Sequence, residues 1–239
     1  MIIYGLNPVL EALRSHAERV HYVGVAREHG GKLQRAIAEA KGAGVPVRQL
    51  TSEQIDRLAH GGVHNGVVAD VSEGTYADFD EVIDRATFVL ILDGITDPQN
   101  FGAILRVADA FGADLVVIPQ HESAGLTPAA VKASAGASEW VPVAQVTNLA
   151  RALEALEKRG FWRYAAAAGG DAPSSIDFSG KVALVLGNEG KGIRRNVAEH
   201  CDRVVTIPMQ GHVDSLNVAT AAGVLCYEVR RQSPAPPRR

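Results

Sequence analysis

Three strand-length runs, 88–92 (FVLIL), 115–118 (LVVI) and 182–186 (VALVL), carry no polar residue, and helical patterns stand between them. A strand without a polar face is buried on both sides, which points to a mostly parallel sheet covered by helices. Further strand candidates lie at 141–146, 161–167 and 204–207, and a last helix is predicted from Ser215 to about Arg231. Residues 78–232 therefore read as one α/β domain, with Asp78 capping its first helix. With 46% hydrophobic residues the chain has material for such a core.

Residues 1–71 read as a separate, small α/β unit. The pattern predicts a helix opening at Asn7-Pro8, with Asn7 as cap and Pro8 in the first position, running through Leu10 and Leu13. Strands follow at 20–26, 45–50 and 67–71, and a helix at 32–41. Thr51-x-x-Gln54 is a capping box ahead of Ile55 and Leu58. Residues 72–77 are the expected linker, and 233–239, rich in Pro and Arg, an expected disordered basic tail.

No run nears the roughly 20 apolar residues that span a bilayer, and residue 1 leads directly into strand and helix patterns, so the expectation is a cytoplasmic protein with no membrane partner. Cys201 and Cys226 stand apart from each other and from any metal-ligand spacing, which predicts free thiols and no metal. The net charge of -3 announces no broad basic surface. Residues 1–71 nevertheless hold 8 Lys+Arg against 7 Asp+Glu and five of the eight His, leaving -4 for the remainder. Any nucleic-acid surface is then a local patch.

Open α/β sheets place ligands beyond the carboxyl ends of their strands, which singles out three segments. In 92–114, Gly102, Arg106 and Ala110 recur every four residues on a helix expected to begin near Asn100, leaving the guanidinium sterically open for a phosphate or carboxylate. An arginine there is equally an ordinary surface cation paired with Asp109. In 182–197 a buried strand runs into Gly187-Asn188-Glu189-Gly190-Lys191-Gly192, which matches neither the dinucleotide fingerprint nor the Walker loop. What remains is a glycine cradle around one acid, or a plain turn with an exposed Glu. In 204–230 a strand expected to stop at Pro208 leads through a loop to Ser215 and Asn217, with Ser215 a ligand group or a helix cap. Ser215, His212 and Asp214 are too close along one loop for a nucleophilic triad.

Taken together, these segments resemble the SpoU family of RNA 2'-O-ribose methyltransferases, in the SPOUT class. Asn100, Arg106 and Ala110-Phe111-Gly112 match its first motif, Leu184 to Gly192 its second, and Ile207 to Val218 its third. Residues 4–13 (YGLNPVLEAL) and 64–69 (HNGVVA) are similar to the substrate-binding domain of the branch that methylates a guanosine of large-subunit (23S) ribosomal RNA.

The resemblance implies a deep trefoil knot in the C-terminal domain, S-adenosylmethionine (SAM) as methyl donor and a homodimer whose sites draw on both subunits. Matched position by position, it implies that Gly187, Asn188, Ile207, Met209, Ser215 and Leu216 bind the cofactor. It also implies that Arg106, Asn100, Glu189, Ser215 and Asn217 carry the reaction, with Arg106 activating the 2'-hydroxyl. The role expected here is that Arg106 clamps phosphate and stabilises the developing alkoxide, Asn100 and Ser215 hold the nucleotide, and Asn217 with Glu189 shapes the loops. Arg14, Arg27, Lys32 and Arg35 are candidate RNA contacts, or solvated charges. A tRNA 2'-O-methyltransferase, or a non-catalytic RNA-binding relative, is the alternative.

Overall fold

The computed structural model describes residues 1–27, 31–72 and 76–233, with the side chain of Lys32 outside that set. Residues 73–75 of the expected linker and 234–239 of the expected tail lie outside the described residues. The chain forms two compact units, Met1–Thr75 with Leu126–Trp140, and Tyr76–Gly125 with Val141–Arg239.

The first unit opens with β1 (Ile2–Tyr4), α1 (Leu6–Ser15), β2 (Val20–Ala26), α2 (Gly31–Gly42), β3 (Val47–Leu50), α3 (Ser52–Leu58) and β4 (Val67–Val71). The strands order as β1-β4-β2-β3, with β2 and β3 parallel and the other neighbours antiparallel. Alternation along β4 explains the layering. Val67, Ala69 and Val71 join Leu10, Leu13, Leu33 and Ala36 of α1 and α2 in one core. Val68 turns the other way, to Ile55 and Ala59 beside α3. The predicted capping box at Thr51 is present, with Gln54 N donating to Thr51 Oγ1 at 3.3 Å and Thr51 N to Gln54 Oε1 at 2.8 Å.

The predicted cap at Asn7 is corrected. Gly5 occupies the cap position at φ +98, the helix begins at Leu6, and Pro8 falls third in the first turn, where its missing N–H is still no loss. A glycine is the residue for that backbone angle, and its geometry sets the start ahead of the Asn-Pro signal. Near the end of α3, His64 uses both ring nitrogens, one on Asp56 at 2.9 Å and one accepting from Gly66 N at 3.0 Å.

The second unit continues with α4 (Phe79–Ile83), β5 (Phe88–Asp93), α5 (Pro98–Ala110) and β6 (Leu115–Pro119). Helix α6 (Pro128–Ala133) packs back into the first unit, where Val131 joins the core. The second unit resumes with β7 (Val143–Val146), α7 (Leu149–Lys158), β8 (Phe161–Asp171), β9 (Lys181–Gly187), α8 (Arg195–Ala198), β10 (Arg203–Val205) and α9 (Val218–Gln232). All neighbours in the six-stranded sheet, β10-β8-β9-β5-β6-β7, are parallel. Val89, Ile91, Val117, Ala183 and Val185 face Leu149, Leu153, Leu156 and Val197. The alternate residues, such as Leu90, Leu92 and Leu184, are buried on the opposite face, as are Phe101 and Leu105 of α5 and Leu225 of α9. Helices α5 and α9 pack on each other. Arg230 fastens them by donating to the carbonyls of Phe111 (2.6 Å) and Gly112 at the end of α5, a cation where the helix dipole is negative.

Strands β3 and β7 begin two residues later than expected, and four further boundaries differ. Helix α5 begins at Pro98, because Asp97 caps it through Gln99 N and Asn100 N. Strand β10 ends at Val205 and β8 runs on to Asp171, because Thr206 Oγ1 donates to Ala167 O (2.6 Å) and accepts from Gly170 N (2.7 Å). Gly170 lies so close to β10 that an added Cβ would sit 2.1 Å from the Val204 carbonyl oxygen. Helix α9 starts at Val218 with Asn217 as cap, in place of Ser215.

At the outer edge, Arg163 is 7% exposed at its side chain and meets Asp202 through Nε (2.9 Å) and Nη2 (2.7 Å), with Glu157 at 2.8 Å. The guanidinium and the Arg163 amide hold the Asp202 carboxyl below its usual range. A depressed carboxylate pKa contributes stability above the ordinary value, lost as pH falls through the folded-state value. Asp202→Asn, which leaves a buried guanidinium with the exposed Glu157 alone, is expected to cost about 3 kcal/mol in urea unfolding at pH 7. The wild-type advantage over this variant should shrink below about pH 4.

Candidate active site

At the carboxyl ends of β9, β8 and β10 lies a cavity of about 410 Å³. All six expected cofactor residues line it: Gly187, Asn188, Ile207, Met209, Ser215 and Leu216. Glu189, Thr206 and Asp214 add polar groups, and Leu186, Val205, Val218, Ala221 and Leu225 an apolar wall. Its volume falls in the range of small-molecule sites, roughly 300–1,000 Å³.

The loop after β9 is built for close approach. Asn188 and Gly192 exchange backbone hydrogen bonds at 3.1 and 2.8 Å, folding the glycine stretch back on itself. A Cβ on Gly187 would fall 2.3 Å from the carbonyl carbon of Gly192 and 2.4 Å from Ile193 N, both backbone atoms that cannot swing aside. Asn188 spends its side chain on the fold: Nδ2 donates to Gly94 O (2.8 Å) and Oδ1 accepts from Gly190 N (2.9 Å). Both polar ends of that side chain are thus engaged within the fold.

Glu189 gathers the remaining segments. Its Oε1 accepts from Asn217 Nδ2 (2.6 Å), Val218 N (3.1 Å) and Asn100 Nδ2 (3.2 Å), while Asn217 Nδ2 also reaches Asn100 Oδ1 at 2.8 Å. Asn217 Oδ1 meanwhile caps α9 through Ala219 N and Thr220 N. One carboxylate therefore fixes the start of α9 and ties it to the first turn of α5. Asn100 belongs to this brace, with both its oxygen and its nitrogen engaged.

Ser215 is exposed, lines the cavity and has its hydroxyl free of any partner among the described residues. Arg106 is exposed on α5, makes no ion pair among the described residues and does not line the cavity. The pairing with Asp109 allowed by the sequence is absent. Six residues past Asn100, it lies ~9 Å further along the helix.

A pair not singled out in the sequence completes the frame. Asp93, its side chain fully buried at the end of β5, accepts from Arg194 N and Nε, both at 2.7 Å, and meets Nη2 at 2.6 Å. The available signal was an acid closing an otherwise apolar strand. Cys201 and Cys226 are free, and burial pushes both thiols up to about 12, so neither is a nucleophile near neutrality. No group of His, Cys, Asp and Glu among the described residues is arranged to hold a metal.

Comparison with known proteins gives this geometry a context. Residues 87–227 match the SpoU rRNA Methylase family, and residues 2–77 match the family described as RNA 2'-O ribose methyltransferase substrate binding. The 23S rRNA (guanosine-2'-O-)-methyltransferase RlmB of Pseudomonas syringae pv. tomato is 43% identical over 98% of this chain and 96% of its own length. RlmB of Pseudomonas putida is 42% identical, covering 96% of each. Among solved structures, the SpoU methyltransferase AviRb from Streptomyces viridochromogenes, in complex with the cofactor AdoMet, superposes with a TM-score of 0.80 at 26% identity, over 98% of this chain and 90% of that one. The second unit thus has the knotted α/β fold of the SpoU methyltransferases.

Because the atoms facing Gly187 are backbone, Gly187→Ala is expected to destabilise the protein by more than about 2 kcal/mol, read from chemical denaturation, unless the cradle opens. A change below about 0.5 kcal/mol with unaltered ligand affinity would show that the close approach is not needed.

Proposed function

This chain belongs to the SpoU rRNA methylase family, and on that premise we propose that it methylates the ribose 2'-hydroxyl of a guanosine in 23S rRNA, with S-adenosylmethionine as donor. The carrying observation is that three separate motif loops converge on one cavity with a polar brace beside it. The donor brings a methyl carbon already activated by its sulfonium sulfur. What the protein must add is alignment and management of the charge left on the ribose oxygen.

The cavity residues divide that labour. Ile207, Met209 and Leu216, backed by Leu186 and Leu225, supply an apolar bed for the adenosine portion. Gly187 lets the ligand approach the backbone closely, Asn188 shapes the loop beside it, and Ser215 offers a free hydroxyl. Glu189, Asn100 and Asn217 hold these loops in register, so little reorganisation is left for the moment of reaction.

Arg106 is the group for the RNA. A guanidinium is a planar, bidentate cation and a poor base, so it clamps a phosphate and stabilises the developing alkoxide instead of abstracting the proton. Since Arg106 lies outside the cavity of its own chain, the working assembly is a homodimer in which a second copy completes each site. Exposed Val224 and Tyr227 on α9 give that contact apolar surface. The reading of 23S rRNA over tRNA rests on relatives that match through both units, the substrate-binding one included. The protein acts in the cytoplasm, where that RNA is made; among the described residues no helix is long and apolar enough to cross a membrane.

Arg106→Ala is expected to lower single-turnover methylation of 23S rRNA by about 100-fold or more with SAM affinity unchanged. Arg106→Lys activity within a few-fold of wild type would refute a need for the guanidinium. Mixing Arg106→Ala with Gly187→Ala chains should restore activity that neither has alone; no recovery would argue that each site is complete within one chain.

A further inference from the structure

In the first unit, Lys132 departs from the rule that buried charges are paired. Its Nζ is buried and has no hydrogen-bond partner among the described residues. The ring of Tyr4, 5.0 Å from Nζ to centroid, is the compensation that the fold provides. Burial pulls the ammonium below the usual lysine range. Glu11, the one acid on α1, is engaged elsewhere, by Arg14 Nη1 at 3.0 Å and Trp140 Nε1 at 3.1 Å.

The same lysine lines a cavity of about 400 Å³ together with Gly5, Leu6, Asn7 and Asn65. Helix α1 starts at that cavity, and its cap residue, Gly5, has no side chain to satisfy the first turn. The backbone N–H groups of Leu6 and Asn7 find no acceptor among the described residues, and Pro8 has no N–H to offer. Donors with unmet demand thus converge from two directions: an unpaired cation on α6 and the positive end of α1. A Cβ built on Gly5 would fall 3.2 Å from Nζ, which places the ammonium beside the start of α1.

We propose that this cavity is an oxyanion site that takes a backbone phosphate of the RNA substrate between Lys132 and the amides of Leu6 and Asn7. The assignment to RNA rests on the function proposed above, whereas the oxyanion chemistry does not. It gives residues 4–8 (YGLNP) a purpose beyond starting a helix: Tyr4 parks the cation, Gly5 opens the cap, and Pro8 leaves the two preceding amides as the donors. A phosphate has what the site lacks, which is negative charge and several acceptors at once.

The full-length protein is titrated with inorganic phosphate against chloride at matched ionic strength. The wild type should gain ~2 °C or more in Tm, and Lys132→Met, which keeps the stem and removes the charge, should gain none. In wild-type amide NMR spectra, Leu6 and Asn7 should move with phosphate and not with chloride. For a 23S rRNA fragment, Lys132→Met should make the slope of log K against log salt shallower by about 1.

A Lys132→Met protein stabilised as much as wild type, with the Leu6 and Asn7 amides unmoved, overturns the site. Should the variant not fold, judged by lost SAM affinity, the wild-type amide shifts decide. Phosphate bound through Lys132 with an unchanged salt slope overturns the RNA assignment and marks a site for free phosphate. Lys132-dependent phosphate binding in a wild-type protein that methylates no rRNA sustains the oxyanion site while overturning the functional reading.

Discussion

The Glu189 carboxylate holds together parts of the chain that have no other reason to meet. Asn100 stands 89 residues before it, and Asn217 28 residues after, yet both amides and the Val218 N–H converge on one oxygen. Each of these bonds closes a long loop and is worth little until the sheet has brought the strand ends side by side. The brace is therefore a product of the finished parallel sheet. In return it decides local structure: with Val218 N committed to Glu189 and Asn217 Oδ1 to Ala219 N and Thr220 N, α9 has one place to start.

A second set of bonds works from the opposite side of the same loop. Buried Asp93 takes three contacts from Arg194, and Asn188 reaches Gly94, so the stretch between Asn188 and Arg194 is anchored at both ends to the close of β5. A carboxylate with no exposed surface is costly unless its partners are fixed, and the guanidinium on Oδ1 with the amide on Oδ2 supplies that. Between these anchors the backbone passes itself at a distance that only glycine permits at position 187. A ligand meeting this loop encounters donors and acceptors already in place, the condition under which electrostatic stabilisation is most effective.

Most of the architecture is legible in the sequence because it depends on short-range regularities. Apolar runs without a polar face mark β5, β6 and β9, and Thr51 and Asp78 cap the helices they precede. Asn7 and Ser215 carry equally good local signals and cap nothing, because Gly5 and the Glu189 brace settle those helix starts by other means. Arg194 follows no periodicity, and its importance comes from an aspartate 101 residues away. Leu126–Trp140 reads as one more strand-to-strand connection, and its packing into the first unit follows from Val131 and from Trp140 reaching Glu11, contacts that no window of sequence contains. The cavity residues are legible in the sequence only through motif resemblance; their physical roles emerge only from the bonds each makes or withholds.

A chain of net charge -3 that acts on RNA cannot rely on bulk attraction. Many of its cations are already spent within the fold: Arg163 on Asp202 and Glu157, Arg159 on Asp80 and Asp84, Arg14 on Glu11 and Glu39, Arg194 on Asp93. A cation held by a carboxylate releases few counterions from nucleic acid, because its charge is neutralised before the phosphate arrives. Arg106 and Lys132 are in the other position, charged and without an ion partner among the described residues. One sits on the helix that starts at the Glu189 brace and the other over the uncapped start of α1. Cations placed in this way make binding demanding in geometry, which suits an enzyme that must place one ribose among many identical sugars.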